Sequence, residues 1–324
     1  MKQRTFSIEE ADHGQRLDRF VAERAQVSRA LAMRLIAQGD VRVDSRVGKK
    51  GMTLQVGQTV SVPPDTPDDL TTPPGPNPAL PLSVLYADDA VVVVNKPTGQ
   101  ACHPLRAGEQ NTVANAVVAR FPACALAATP AREGGVCHRL DLHTSGALLF
   151  AQTPQAWRKL RDDFSAGLVK KEYLALVVGE PPHDEFELTL PLLPGRAGHP
   201  KVRVAATPDE IYAPQALDAH TSCTVLVRSC GYALLSVLAH TGRRHQIRAH
   251  LGHAGLPIVG DPVYGQPAEG GQLLHALRLS FVSPTDATVK RSVTAPVPPD
   301  RAALFAARLG RDQAAQAWEM VQNG

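Results

Sequence analysis

Short apolar runs separated by turn residues constrain the fold of this chain more than any other feature. Most of the runs have the length of a strand, and they follow one another through turns and not through long crossover helices. Amphipathic helical segments are fewer, and the clearest span residues 111–121 and 154–168. Because strands joined by tight turns pair antiparallel, the pattern predicts an α+β fold with a mixed, mainly antiparallel sheet and flanking helices.

Composition divides the chain into four parts. Residues 1–63 predict two short helices, RLDRFVAER and ALAMRLIAQ, leaning on a small hairpin sheet, with Ser28 as the N-cap of the second helix. Residues 64–80 are rich in proline with polar fillers, which predicts a linker without packed elements. Residues 81–300 hold most of the predicted strands and form the larger domain. Residues 301–324 predict a helical tail.

The distribution of charge points to a polyanionic partner. The whole chain has a formal net charge of only +3, but residues 1–63 contain 11 Lys and Arg against 7 Asp and Glu. From Ala219 to Gly260 no acidic residue occurs, while five histidines do. Two basic patches are typical of a protein that binds nucleic acid, and an ordinary solvated surface is the alternative.

The cysteines and the apolar runs indicate the cellular location of the protein. The five cysteines are odd in number and include no C-x-x-C pair, and the start of the chain has no apolar signal core. We therefore expect reduced thiols and a cytoplasmic location. No apolar run approaches the roughly 20 residues that a membrane-spanning helix needs, so no membrane partner is expected.

The run GGVCHRLDLHTSGALLF, residues 134–150, carries the strongest candidate for chemistry. Asp141 follows the basic pair His138 and Arg139, and Thr144 opens a small-residue turn before a wholly apolar stretch. This layout predicts a polar loop that leads into a buried strand, and such loops commonly carry reactive side chains. Within this window alone, turn formation by the aspartate is the structural alternative.

The histidine-rich segment 241–253 has two interpretations. If Gly242 opens a helix here, Arg244 and Arg248 lie one turn apart near its N-terminus and form an anion site. The alternative is a metal-dependent hydrolase whose candidate ligands are His240, His245, His250 and His253. Zinc sites on helices usually include a carboxylate or cysteine, and the segment has neither, so we expect no metal.

Tyr173, in the predicted strand KKEYLAL, is a further candidate. It shares a strand face with Ala175 and Val177, so a place for its ring in the core is the alternative to a functional role. No G-x-S-x-G elbow surrounds Ser145, and glycine-rich phosphate loops are absent. Neither a serine nucleophile nor a nucleotide cofactor is therefore expected.

Residues 82–282 resemble the pseudouridine synthases of the RluA type. The matching segments, in the family's order, include VLYADDAVVVVNKPTGQACHP, GGVCHRLDLHTSGALLFAQT, KKEYLAL and LAHTGRRHQIRAHLGHAGLPIVGDPVYG. The pairing of H-R-L-D-x-x-T-S-G with T-G-R-x-H-Q-I-R is highly specific. In residues 1–63, RLDRFVAE, SRALAMRLIAQGDVRVD and VGQTVSVPP resemble the small RNA-binding domain named after ribosomal small-subunit protein four. A helical dimerisation module is the alternative there.

The resemblance implies an isomerase that converts specific uridines of structured RNA to pseudouridine by base flipping. It implies large-subunit ribosomal RNA or its precursor particle as partner, a monomeric enzyme and no cofactor. Asp141 would be the essential catalytic aspartate and Arg248 would hold it. Tyr173 would stack on the target base, and Arg139 would occupy the space that the flipped nucleotide leaves. His143 stands where an acidic residue is commoner in the family, which leaves the RNA target open.

The resemblance also implies residues that support the loop or bind phosphate. The four expected around the active site are His138, Thr144, Arg243 and His245. In the N-terminal module, the residue pattern itself predicts that Arg29, Arg34, Lys49 and Lys50 project outward, where they can bind phosphate. A non-catalytic RNA-binding protein that keeps the fold is the rival interpretation, and the intact catalytic positions argue against it.

Overall fold

The computed structural model describes residues 4–27, 29–63, 72–106, 108–195 and 201–323. The predictions for Ser28 and for residues 64–71 of the linker lie outside these ranges. The helices are α1 (Leu17–Ala25), α2 (Arg29–Gln38), α3 (Val113–Arg120), α4 (Pro154–Ser165), α5 (Pro208–Ile211), α6 (Gln246–His253), α7 (Pro299–Leu309) and α8 (Arg311–Asn323). The strands are β1 (Arg4–Ser7), β2 (Arg42–Val43), β3 (Arg46–Val47), β4 (Thr59–Val62), β5 (Val84–Ala87), β6 (Val91–Lys96), β7 (Ser145–Ala151), β8 (Lys170–Val178), β9 (Glu185–Leu188), β10 (Leu192–Leu193), β11 (Arg203–Val204), β12 (Thr221–Ser229), β13 (Tyr232–Ala239), β14 (Leu274–Val282) and β15 (Lys290–Thr294).

The N-terminal module packs α1 and α2 on a four-stranded antiparallel sheet in the order β1-β4-β2-β3. The apolar face of α1 is buried completely, with Leu17, Phe20 and Val21 inaccessible to solvent. Strand β1 was not predicted, and it completes the sheet by pairing with β4. Residues 55–58 form a turn before β4, and Val56 in this turn is 47% exposed.

The larger domain is built on a nine-stranded sheet. Its order is β5-β6-β7-β14-β8-β13-β12-β9, and β15 pairs with the outer part of β14. Among the pairs that the described residues form, β7 and β14 run parallel and the others antiparallel. The predicted α+β fold with a mixed, mainly antiparallel sheet is confirmed.

The strand β8 separates two cores. Leu174 and Leu176 lie on one face and pack with Phe305 of α7, whereas Ala175 and Val177 lie on the other and pack with α6. The alternation predicted from KKEYLAL is therefore present. Because Phe305 is fully buried, the helical tail covers one face of the sheet and is part of the core.

The described part of the linker, residues 72–80, contains neither helix nor strand. It lies against α3, since Asn115 Nδ2 donates a hydrogen bond to Gly75 O and Asn77 N donates to Asn115 O. All five cysteines lie in the described ranges, and each carries a free thiol. None of the helices within those ranges combines the length and the apolar character needed to cross a bilayer.

Candidate active site

Asp141 lies in the polar loop that precedes β7, next to an arginine from far along the chain. Its Oδ2 accepts a hydrogen bond from Arg248 Nη1 at 2.7 Å, and its Oδ1 lies 3.9 Å from His245 Nε2. The Asp141 side chain keeps 26% of its surface exposed, whereas Arg248 keeps only 6%. The carboxylate is thus fixed from one side and accessible from the other. The contact predicted between Asp141 and Arg248 is present, and the catalytic role of the pair stays a prediction.

A second carboxylate fixes the arginine. Arg248 Nε and Nη2 donate to Asp261 Oδ2 at 2.7 Å and Oδ1 at 2.8 Å, which is the bidentate arrangement that matches a planar guanidinium. Burial alone lowers the pKa of Arg248, but its hydrogen bonds and charge interactions with Asp261 and Asp141 raise it above the ordinary value. With two donors held by Asp261, a third donor aims at Asp141.

Asp261 was missed as a site residue by the sequence analysis. Its side chain is fully buried, and its Oδ1 also accepts hydrogen bonds from the amides of Val263 and Tyr264. Burial on its own raises the pKa of Asp261, but the donors from Arg248 and from these amides hold it below the ordinary value. An Asp-Pro pair in a loop looks like a turn former in sequence, and no local pattern distinguishes it from an arginine clamp.

Lys96 fastens the backbone of the Asp141 loop. This side chain is fully buried, and its Nζ donates hydrogen bonds of 2.9 Å to the carbonyls of Pro97, Leu142 and Thr144. Burial lowers the pKa of Lys96 to about 8, so at neutral pH the ammonium group keeps three protons for three acceptors. The sequence did not predict Lys96 as a site residue, because two of its three acceptors lie 46 and 48 residues away along the chain.

Two further contacts fasten the same loop. Thr144 Oγ1 accepts a hydrogen bond of 2.8 Å from Gln272 Nε2, and Thr144 N donates to Asp141 O at 3.1 Å. The segment that carries Gln272 is itself held by the tail, because the fully buried Arg301 donates to the carbonyls of Gly270 and Gln272. Thr144 therefore belongs to the base of the loop.

A family model described as RNA pseudouridylate synthase matches residues 90–253, which is half of the chain. The chain belongs to the RNA pseudouridine synthase family. An uncharacterised RNA pseudouridine synthase of Chloroflexus aurantiacus is 37% identical over 306 residues, covering 92% of each chain. The ribosomal large subunit pseudouridine synthase D of Xanthomonas campestris is 33% identical over 333 residues, covering 95% of this chain and 93% of the relative.

A solved structure agrees with the sequence relatives. The human RNA pseudouridylate synthase domain containing 1 is 25% identical and superposes with a TM-score of 0.54. The match covers 69% of this chain and 86% of the human one. The protein is thus an isomerase that acts on RNA, and its larger domain has the pseudouridine synthase fold.

The other predicted active-site residues of this synthase occupy different places. Tyr173 packs between two core clusters, and its hydroxyl group has no hydrogen-bond partner among the described residues. Burial raises the pKa of Tyr173, and the negative charge of Asp141 adds to this. Arg139 is exposed, and its guanidinium makes no hydrogen bond or ion pair within the described part of the chain.

His138 lies at the base of the loop and not beside Asp141 Oδ2. Its ring stacks on Phe164 with a centroid separation of 4.7 Å, and its Nε2 accepts a hydrogen bond from Leu149 N at 3.2 Å. Burial lowers the pKa of His138 to about 3, so the ring is neutral at physiological pH. Of the two tasks expected of His138, these contacts fit support of the loop.

Gly242 does not open a helix, so the condition for an anion site formed by Arg244 and Arg248 on one helix face is not met. Helix α6 begins at Gln246, and His245 before it has a left-handed backbone with φ of 55°. The cause is the Gln246 side chain, whose Oε1 accepts hydrogen bonds from Arg243 N and from the Thr241 hydroxyl and so holds residues 241–245 as a turn. Arg244 precedes the helix and is not on one face with Arg248. Arg243 Nε donates to Asp218 O at 2.9 Å on the surface.

The basic residues of the N-terminal module lie on its surface. Arg29 Nε is 2.7 Å from Asp18 Oδ2, and its side chain is 60% exposed. Arg34, Lys49 and Lys50 are exposed as well. These positions suit contact with phosphate, and the role predicted for them stays a prediction.

The four histidines of the metal interpretation do not meet. His250 is buried, and its two ring nitrogens are hydrogen-bonded with Thr221 Oγ1 and Leu190 O. His245 Nδ1 lies 3.2 Å from the Tyr264 hydroxyl, beside Asp141. Within the described ranges, the one group of side chains close enough to hold an ion is a different one, formed by Glu187, His220 and His240.

Proposed function

We propose that this synthase isomerises specific uridines of large-subunit ribosomal RNA, and that Asp141 is its catalytic residue. The observation that carries the proposal is the Asp141 carboxylate itself, fixed by Arg248 at 2.7 Å and yet one quarter exposed. A relative with 33% identity is named as a ribosomal large subunit pseudouridine synthase, which supports ribosomal RNA as the target class.

The chemistry fits one carboxylate without a cofactor. Pseudouridine formation breaks the N1–C1′ bond of uridine, turns the base within the site and joins C5 to C1′. Overall, C5 loses its proton and N1 gains one, so the reaction is a balanced isomerisation. Asp141 has three alternative roles in this reaction. It could attack C1′, remove the 2′ proton or add to C6. In each of them Arg248 keeps the carboxylate oriented, and its cation, shared with Asp261, favours the ionised form.

The target uridine must leave its stack to reach Asp141. Base flipping costs a few kcal/mol of unstacking energy, which contacts to the flipped nucleotide have to offset. We propose that Tyr173 stacks on the base and that Arg139 fills the vacated space in the RNA. The exposed guanidinium of Arg139 supports this role, because no hydrogen bond or ion pair with a described residue fixes it and it is free to contact RNA.

We propose that residues 1–63 form an RNA-binding domain like that of ribosomal small-subunit protein four. Its separate apolar core, built on α1, α2 and four strands, and its exposed Arg34, Lys49 and Lys50 support this proposal. Contacts of this kind follow phosphates without reading sequence, and they position the larger domain on structured RNA. We further propose that the enzyme acts as a cytoplasmic monomer.

The target is tested by incubating the purified full-length enzyme with three substrates in parallel. These are a large-subunit ribosomal RNA transcript, precursor ribosomal particles and transfer RNA, each mapped for pseudouridine afterwards. Product at discrete sites in the transcript or the particle supports the proposal, and the ratio of the two identifies the preferred substrate. Product confined to transfer RNA contradicts it. Light scattering of the free enzyme checks the monomer.

A further inference from the structure

We propose that Glu187, His220 and His240 form a binding site for a divalent transition-metal ion such as Zn²⁺, apart from the residues that hold Asp141. One ligand atom from each residue lies within 4.8 Å of the others. Two imidazoles and one carboxylate are a ligand set that zinc uses in proteins, with a fourth position left for water. This inference does not rest on the function proposed above.

Three neighbouring strands bring the ligands together. Glu187 on β9 lies directly opposite Ser222 on β12. His220 and His240 flank the next pair, Thr221 with Ala239, and His240 N donates a backbone hydrogen bond to His220 O at 3.1 Å. Residues opposite each other in an antiparallel sheet have Cβ atoms about 4.5–5.5 Å apart. The paired backbones of β12 and β13 therefore hold the two imidazoles close together.

The side chains already converge on one carboxylate oxygen. His220 Nε2 lies 2.6 Å from Glu187 Oε2, and Ser222 Oγ lies 2.8 Å from the same oxygen and 2.6 Å from His240 Nε2. The two imidazole rings stack with centroids 4.1 Å apart. Around a tetrahedral zinc the ligand atoms are about 3.4 Å apart, given Zn–N and Zn–O bonds of about 2.1 Å. The ligand atoms now lie within 4.8 Å of one another, so an ion would draw them together through rotation of these partly exposed side chains.

The sequence predicted no metal because the histidine segment 241–253 contains no carboxylate. The fold supplies that carboxylate from β9, more than 50 residues away in sequence from His240. The fold also changes which histidines meet. His220 lies beside His240, whereas the histidines of α6 do not. The ligand set therefore becomes visible only after the strands have paired.

The cluster adjoins the turn at residues 241–245, so a bound ion would have a structural role there. The Thr241 hydroxyl accepts a hydrogen bond from His220 N at 3.0 Å and donates to Gln246 Oε1 at 2.7 Å. An ion between His220 and His240 would tie the ends of β12 and β13 at the start of the turn that leads to His245. We expect it to stabilise this turn and to take no part in the chemistry at Asp141.

The test is isothermal titration of the chelator-treated full chain with Zn²⁺, together with its melting temperature with and without Zn²⁺. We expect one ion per chain and a melting temperature that rises with zinc. His220→Gln and His240→Gln keep a hydrogen-bonding side chain but should weaken zinc binding at least about tenfold. His253→Ala, which removes an exposed histidine outside the cluster, is the control and should bind zinc as the wild type does.

Two results would overturn the proposal. One is the lack of zinc binding by the wild type at concentrations up to about 1 mM, where even a weak complex would form. The other is equal zinc affinity of the wild type, His220→Gln and His240→Gln, which would place the ion elsewhere. Far-ultraviolet circular dichroism of each metal-free variant shows that a lost zinc response reflects lost ligands and not lost fold.

Discussion

The Asp141 loop and the N-terminal module are both predicted to bind RNA, but they differ in how their charged groups are held. The cations at the loop are buried and paired, whereas those of the module are exposed. At the loop, the buried Arg248 donates hydrogen bonds to two carboxylates. The buried Lys96 donates to three backbone carbonyls. In the module, Arg34, Lys49 and Lys50 extend into solvent. A reacting carboxylate must be held within a fraction of an ångström, whereas phosphate contacts tolerate movement.

This difference predicts that equal changes of charge have unequal effects. In the loop, each lost donor leaves a buried acceptor unpaired, which costs about 1–3 kcal/mol per group. In the module, a lost cation changes little besides RNA affinity, because exposed charges contribute about 0–1 kcal/mol to stability. The variants below compare the two regions.

The largest effect is expected for Arg248→Lys. Lysine keeps the charge but cannot bind Asp261 with two donors and Asp141 with a third, so the buried Asp261 loses part of its pairing. Breaking a buried ion pair costs about 3–5 kcal/mol, and we expect a loss near the lower end together with pseudouridine formation below detection. Urea unfolding and an activity assay measure the two effects. Arg228→Lys, at an exposed ion pair with Asp184, is the matched control and should change neither.

Lys96→Met tests the fastening of the loop from below. Methionine fills a similar volume but leaves the carbonyls of Pro97, Leu142 and Thr144 without their donor. We expect a loss of at least about 2 kcal/mol in unfolding free energy, and a kcat at least about tenfold lower, because Asp141 is less well positioned. Lys290→Met, on the exposed face of β15, controls for the loss of a lysine. A stable and fully active Lys96→Met enzyme would show that the loop does not depend on these bonds.

Acid should weaken the scaffold next to the loop through His275. This fully buried ring is hydrogen-bonded with Ser145 Oγ and with Ala295 O, and burial lowers its pKa to about 4. Between pH 6.5 and 4 the unfolded chain binds a proton here and the folded chain does not. Folding stability therefore falls as pH falls, by up to about 1.4 kcal/mol per pH unit. Urea unfolding at pH 7 and pH 5 should show a smaller decrease for His275→Gln than for the wild type.

The smallest effect on chemistry is expected in the N-terminal module. Replacing Arg34, Lys49 and Lys50 together by glutamine should weaken RNA binding and lower the slope of log affinity against log salt by about 2–3. At saturating RNA, kcat should stay within about twofold of the wild type, because none of these residues touches the Asp141 loop. A large fall in kcat at saturating RNA would show that the module contributes to the chemistry.

The sequence predicted what depends on neighbouring residues. The buried strand β7 after the Asp141 loop, the alternating strand β8 and the helix α4 all carry their signals within a few residues. The short strands β9 to β11 escaped prediction because two to four mixed residues show no periodicity. Asp261 and Lys96 escaped as site residues because their partners come from distant segments. The start of α6 was misplaced because the Gln246 side chain, and not Gly242, sets the turn.

The resemblance supplied the non-local part that periodicity could not. Asp141 and Arg248 stand 107 residues apart, and no helical or strand pattern relates them. Their contact in the structure agrees with the pairing that the family resemblance implied. Glu187, in contrast, lies outside the segments that carried the resemblance, so neither route predicted its place beside His220.

The central claim, that Asp141 performs the chemistry, is tested most directly by Asp141→Asn in single-turnover reactions on ribosomal RNA. The asparagine oxygen can still accept the hydrogen bond from Arg248, so the fold and RNA binding should persist. We predict RNA affinity within about threefold of the wild type, less than 1 kcal/mol, and no pseudouridine. Pseudouridine formation by Asp141→Asn at a rate near that of the wild type would contradict the role of this carboxylate.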